Sequence, residues 1–294
     1  MSKVNPEPGA RYLTLPDTRL YVVERGSGYP LLILHGGPGM DHHMFADYLD
    51  PLGDQFQLIL VDQRSQGRSD ATDPQTWSLR QMARDVVDLA AALKLERYAV
   101  LGHSYGALVA LQNAVDFPGQ AAQTIISGGF PSARYLEHVV KNLEIFEPEA
   151  LRASVAASWE RETQVETHDD VAQLLHDQMP FHFANPLDPR IAELEARSSE
   201  AIYSPQVLRH FALQEYGGIE VEERLGQVTQ PTLVLAGRHD RACSVPAAQA
   251  IHNGIPGSEL VIFEHSGHMT FVEEKQLYLE AVRKFLSKHL LEEQ

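Results

Sequence analysis

The sequence predicts an α/β fold: a mostly parallel sheet covered by helices on both faces, with an inserted helical cap. Three observations predict it. Short runs that are apolar on both faces alternate with amphipathic helical stretches. One such run passes through a G-x-S-x-G turn straight into a helix. The alternation then breaks between about residues 130 and 226, where only helical patterns remain.

The strand series opens with Leu20-Tyr21-Val22-Val23. Leu31-Leu32-Ile33-Leu34, Leu58-Ile59-Leu60-Val61, Tyr98-Ala99-Val100-Leu101 and Thr124-Ile125-Ile126 continue it. Thr232-Leu233-Val234-Leu235 and Leu260-Val261-Ile262-Phe263 complete it. Near-continuous apolar runs fit strands buried on both faces, the pattern of parallel sheets with crossover helices. Between them, Leu79, Met82, Ala83, Val86, Val87, Ala90 and Leu93 form an apolar stripe at helical spacing. Ser78 with Gln81 three residues on reads as a capping box at its start. Tyr278, Ala281, Val282, Phe285 and Leu286 give the last helix a similar stripe.

Residues 1–129 and 227–294 are therefore expected to form the core domain, and residues 130–226 the cap. Within the cap, Tyr135, Val139, Leu143 and Phe146 suggest one amphipathic helix, and Val171, Leu174, Leu175 and Met179 another. Pro148, Pro180, Pro186, Pro189 and Pro205 punctuate the segment.

Composition narrows the function classes. Of 294 residues, 44% are hydrophobic, enough for a sizeable core. The 40 acidic side chains outnumber the 24 basic ones, a formal charge of −16. A nucleic-acid partner would need a basic face, so none is expected; surface acids serve solubility. Cys243 is the only cysteine, which excludes an internal disulfide. Residues 1–11 are polar, contain Pro6 and Pro8, and lack the apolar stretch of a signal peptide. A cytoplasmic location is expected. No apolar run reaches about 18 residues, so no membrane partner is expected. Oligomeric state is not legible.

The strongest chemical signal is Gly102-His103-Ser104-Tyr105-Gly106. It follows one strand directly and opens a helical run, the context in which a sharp turn exposes a nucleophilic serine at the top of an α/β-hydrolase sheet. Serine needs a base, and the base an orienting acid. In this fold the chain order is serine, acid, histidine. Asp240 follows the strand at 232–235, and His268 the strand at 260–263. Both sit at carboxyl ends of expected parallel strands. The turn after the preceding strand, Ser127-Gly128-Gly129-Phe130, offers no carboxylate. Ser104, Asp240 and His268 are the expected triad. His35-Gly36-Gly37-Pro38-Gly39 follows an earlier strand. Gly37 and Tyr105 are expected to supply the oxyanion N–H groups, with His35 bracing the loop. No H-E-x-x-H or paired-cysteine motif appears, and His42-His43 and His265/His268 read as ordinary histidines in a chain with 14. Neither a metal nor a cofactor is expected.

Three segments together resemble the proline iminopeptidase family of serine peptidases, relatives of the tricorn-interacting aminopeptidase. His35-Gly36-Gly37-Pro38-Gly39 matches the family's oxyanion loop. Asp62-Gln63-Arg64-Ser65-Gln66-Gly67-Arg68-Ser69 is similar to its D-Q-R-G-x-G-R-S segment, with Ser65 in place of a glycine. Thr76-Trp77 before a helix is similar to its T-W-D-L segment. The resemblance implies release of the N-terminal residue, proline or another, from small peptides. It also implies cap glutamates that bind the substrate amine; on a faint likeness of Gln214-Glu215-Tyr216, Glu215 is the first candidate and Glu200 the second. The family's Gly-Gly-Ser-Trp-Gly is here Gly102-His103-Ser104-Tyr105-Gly106, a form common among esterases. A small-molecule ester, lactone or amide hydrolase is therefore the alternative, and a non-catalytic binding protein on a hydrolase scaffold is the alternative of another class.

Overall fold

The computed structural model describes residues 7–291; the first six residues, Pro6 among them, lie outside the described residues. Eight strands form one sheet: β1 (Ala10–Thr14), β2 (Arg19–Gly26), β3 (Tyr29–Leu34), β4 (Phe56–Val61), β5 (Ala99–His103), β6 (Gln123–Ser127), β7 (Thr232–Gly237) and β8 (Glu259–Phe263). Their order is β1-β2-β4-β3-β5-β6-β7-β8. β1–β2 and β2–β4 are antiparallel, and every later pairing is parallel. The chain thus has the α/β-hydrolase fold. β1 escaped the sequence reading because it is an edge strand with mostly exposed residues and so no apolar run.

Alternation along the strands builds two cores. Leu32, Leu34, Ile59 and Val61 face α1 (Leu79–Ala92), α2 (Tyr105–Asp116) and, further along the sheet, α9 (Val245–Gly254). Leu31, Ile33, Leu58 and Leu60 face the opposite side, covered by α11 (Lys275–Leu291), which follows the short α10 (Thr270–Glu273). Each fully buried leucine or valine stabilises the fold by roughly 1.5–3 kcal/mol. Ser78 caps α1 by accepting from the Gln81 N–H at 3.2 Å. The expected capping box is only half formed: the Gln81 side chain donates to Asp85 at 3.0 Å rather than back to the cap. Asp85 is held there by buried Arg64.

Between β6 and β7 the chain leaves the sheet and forms only helices. These are α3 (Glu137–Glu144), α4 (Glu149–Arg161), α5 (His168–His182), α6 (Arg190–Arg197), α7 (Pro205–Ala212) and the single turn α8 (Glu215–Gly218). The two ends of this excursion meet in a small bridge between Ser132 and Glu220, closed by Ala133 N–H to Ile219 O and Val221 N–H to Pro131 O. α5 begins with a complete capping box, Thr167 and Asp170 each accepting from the other's N–H. The helix expected through Tyr135 and Phe146 is shorter than its stripe: a 3-10 turn precedes α3, and Phe146 packs beyond its end. No helix among the described residues is long and apolar enough to cross a membrane.

Candidate active site

Ser104 stands between β5 and α2 with φ 56° and ψ −122°, a conformation that L side chains rarely adopt. Its own N–H is tied to Ser127 O on β6 at 2.9 Å. The flanking glycines make the turn possible. A Cβ on Gly102 would lie 2.0 Å from Gly106 O, and one on Gly106 would lie 2.2 Å from Leu34 O. Both neighbours are backbone and cannot step aside, so the turn can carry only the side chains it has.

Asp240 and His268 come from the loops after β7 and β8. His268 Nδ1 and Asp240 Oδ2 are 2.7 Å apart. The other Asp240 oxygen accepts from the N–H groups of Ala242 at 2.9 Å and Cys243 at 2.8 Å. With Nδ1–H donating to the acid, His268 Nε2 keeps its lone pair, the state a general base needs. Ser104 and His268 line the same cavity. Ser104 therefore shares its cavity with a histidine whose other ring nitrogen is held by a buried carboxylate.

The loop after β3 lies against the serine: a Cβ on Gly36 would be 3.0 Å from Ser104 Cβ. The Gly36 N–H is taken by Met44 Sδ at 2.7 Å. Gly37, at φ +113°, lines the cavity beside Tyr105, whose N–H belongs to the unsatisfied first turn of α2. His35 braces the loop from behind. Its Nε2 accepts from Gln63 N–H at 3.2 Å, so its Nδ1 carries the proton and donates to Gly36 O at 2.7 Å. Burial pushes His35 below the usual histidine range, which suits this neutral form.

Two more imidazoles flank His268. The ring centroids of His103 and His182 lie 4.8 and 5.1 Å from it. Burial, with His268 alongside, holds both well below the usual range, so they pack as neutral rings. The carboxyl end of α5 is fastened to the loops bearing the acid and the base. His182 O accepts from His268 N–H at 2.7 Å, and Arg241, next to Asp240, donates to Phe183 O at 2.6 Å. Half-buried Glu273 spans the same joint, accepting from Ala184 N–H and Gly267 N–H at 2.7 and 2.8 Å.

The cavity encloses about 900 Å³ counting its mouth, and its wall is mostly aliphatic and aromatic. One carboxylate lines it: Glu162, just past the end of α4. Gln178 Nε2 donates to it at 2.7 Å and the Tyr216 hydroxyl donates to its other oxygen. Burial raises its carboxyl to about 7, against the lowering effect of these two donors. The sequence reading missed Glu162, although a signal existed. Val155, Ser158 and Glu162 follow helical spacing, and the first two are fully buried, so the acid lies on the buried face of its helix.

The two glutamates chosen from the sequence are elsewhere. Glu200 and Glu215 are both exposed, and neither lines this cavity. At Glu215 and Tyr216 the backbone takes φ 51° and 57°, and it is the Tyr216 side chain that reaches the cavity. Cys243 is buried against Asp240, and burial pushes its thiol well above the usual range, away from the reactive thiolate. His42 lies between Asp62 at 2.6 Å and Glu7 at 3.0 Å. Burial would lower it, but the two carboxylates outweigh that and raise it to about 9.

The chain matches the alpha/beta hydrolase fold family over residues 29–275. It is 30% identical over 285 residues to a proline iminopeptidase of Saccharolobus solfataricus, covering 92% of this chain and 88% of that one. The chain belongs to the proline iminopeptidase family. Among solved structures, a proline iminopeptidase of Mycobacterium smegmatis is similar at TM-score 0.75 and 26% identity, covering 97% of this chain and 100% of that one. An esterase of Exiguobacterium antarcticum, at TM-score 0.73 and 22% identity over 94% of this chain and 98% of that one, shares the fold. As a proline iminopeptidase relative, the chain is a hydrolase of the α/β fold, with Ser104, Asp240 and His268 in the turns that follow β5, β7 and β8. The insertion closes over them and brings a buried carboxylate.

Proposed function

We propose that this protein is a metal-free serine aminopeptidase that removes the N-terminal residue, proline or another, from small peptides through an acyl-enzyme. The observation that carries this reading is the placement of Glu162 in the cavity that holds Ser104 and His268. A carboxylate buried among apolar side chains is costly unless it meets a cation. The protonated α-amine of a peptide supplies one and forms a charge-assisted hydrogen bond. With the free carboxyl near 7, amine binding strengthens as pH rises through 7 and Glu162 loses its proton.

In this reading, a peptide whose amine binds Glu162 presents its first carbonyl to Ser104 across the cavity that both residues line. Ser104 Oγ attacks that carbonyl carbon while His268 Nε2 takes the hydroxyl proton. The N–H groups of Gly37 and Tyr105 receive the developing oxyanion. His268 then gives its proton to the leaving nitrogen, and the C–N bond breaks. Water, deprotonated by His268, attacks the acyl-enzyme and releases the free amino acid. Asp240 holds the imidazole in the right tautomer throughout.

The ester, lactone or amide hydrolase is the second reading. It is favoured by the largely apolar cavity wall and by His103 in the position of a family glycine. A paired set of substrates separates the two: proline and other amino-acid anilides with free amines, the same anilides N-acetylated, and a short-chain p-nitrophenyl ester. The aminopeptidase reading expects free-amine anilides to be cleaved and acetylation to abolish cleavage. Turnover of the ester alone would overturn it in favour of the second reading.

A further inference from the structure

A second cavity lies on the outer side of the helical insertion, between α3, α4 and α8. It spans about 1530 Å³ counting its open mouth. Leu136, Val139, Trp159 and Tyr216 line both it and the cavity around Ser104, so the two adjoin along these side chains. The floor of this groove is apolar, and Val140 on it is 59% exposed. Its rim is acidic: Glu144, Glu149, Glu160 and Glu215 all line it and are exposed. Its only lining cation, Arg152, is already held by Phe146 O at 2.7 Å and Glu147 at 2.6 Å. None of the four glutamates has an ion pair among the described residues. In the shared wall, Trp159 Nε1–H is buried without an acceptor among them.

We infer that this groove holds the part of a peptide substrate that follows the scissile bond, and that it favours apolar and cationic side chains there. The inference rests on the aminopeptidase reading. An amine anchored at Glu162 is adjacent to the shared wall, because Tyr216 both lines that wall and donates to Glu162. The scissile carbonyl is two covalent bonds from the amine, about 2.5 Å. The departing chain therefore starts beside the same wall and reaches the groove by passing Trp159 and Tyr216. The exposed acids then meet positive side chains, and Val140 and Leu143 meet apolar ones.

The test compares peptides that share their first two residues and differ in the tail, Lys-Lys or Glu-Glu, beside an anilide that has no tail. Glu144→Lys/Glu160→Lys reverses two rim charges near helix carboxyl ends, where lysine is well tolerated. Glu96→Lys/Glu280→Lys makes the same charge change at exposed sites away from the groove. For the unaltered protein at low salt, kcat/KM should favour the lysine tail by about tenfold. The groove variant should bring the two tails within about twofold and leave anilide cleavage unchanged, while the control variant keeps the preference. Equal cleavage of both tails beside normal anilide turnover would overturn the groove alone. So would a control variant that shifts the ratio as much as the groove variant does. Failure to cleave any free-amine substrate would overturn the inference together with the reading beneath it.

Discussion

The sheet and the helical insertion solve different problems with different means. At the strand ends, the groups proposed to react are held largely by backbone: Ser104 in the tight turn between Gly102 and Gly106, Asp240 by two N–H groups, and His268 by the His182 carbonyl at the end of α5. In the insertion, Glu162 is fixed by side chains from two other segments, Gln178 on α5 and Tyr216 on α8. The difference teaches where each kind of function is stored. Under the proposed function, the chemistry sits where main-chain groups set the geometry, and recognition sits where side chains from separate segments meet.

Replacing Ser104 tests the sheet half and should have the largest effect. Ser104→Ala is expected to lower kcat by about 10⁴-fold or more on every hydrolysed substrate. It should also abolish fluorophosphonate labelling while leaving the melting temperature nearly unchanged. Retained labelling would place the nucleophile elsewhere.

The insertion half has a smaller signature that needs no substrate. The Glu162 carboxyl is raised from 4.5 to about 7 by burial. Between those values the folded protein keeps a proton that the unfolded chain releases. The stability this contributes is therefore fully present below about 4.5 and is lost as pH rises through 7. Glu162→Gln removes that loss. The variant should gain about 1–3 kcal/mol relative to the unaltered protein between pH 4.5 and pH 8, read by denaturant unfolding at each pH. Glu273, also raised to about 7 by burial, is present in both proteins and cancels in the difference. A stability gap that does not vary with pH would mean that Glu162 is not held protonated by its surroundings.

The same contrast explains what could be read from the sequence. The strands from β2 to β8 announced themselves as apolar runs, and the loops bearing Ser104, Gly37, Asp240 and His268 were found by their position after those runs. Such features depend on neighbours in the chain. β1 was missed because an edge strand needs no apolar face. The Gln81 side chain was misassigned because buried Asp85, not the helix end, attracts it. Glu215 was chosen from a short local likeness, yet the positive-φ run at Glu215 and Tyr216 leaves the acid outside and brings the tyrosine in. Glu162 could be suspected only from its spacing with Val155 and Ser158. Its partners, 16 and 54 residues away, are supplied by the fold.

The most direct test of the account is the effect of Glu162→Gln on two substrates of the same protein, a free-amine amino-acid anilide and a short-chain ester, with Glu215→Gln as the control. If the sheet holds the chemistry and buried Glu162 holds the amine, kcat/KM for the anilide falls on the order of 10²-fold while the ester changes by less than about threefold. Glu215→Gln then leaves both nearly unchanged. An equal fall on both substrates, or a selective loss in Glu215→Gln instead, would contradict it.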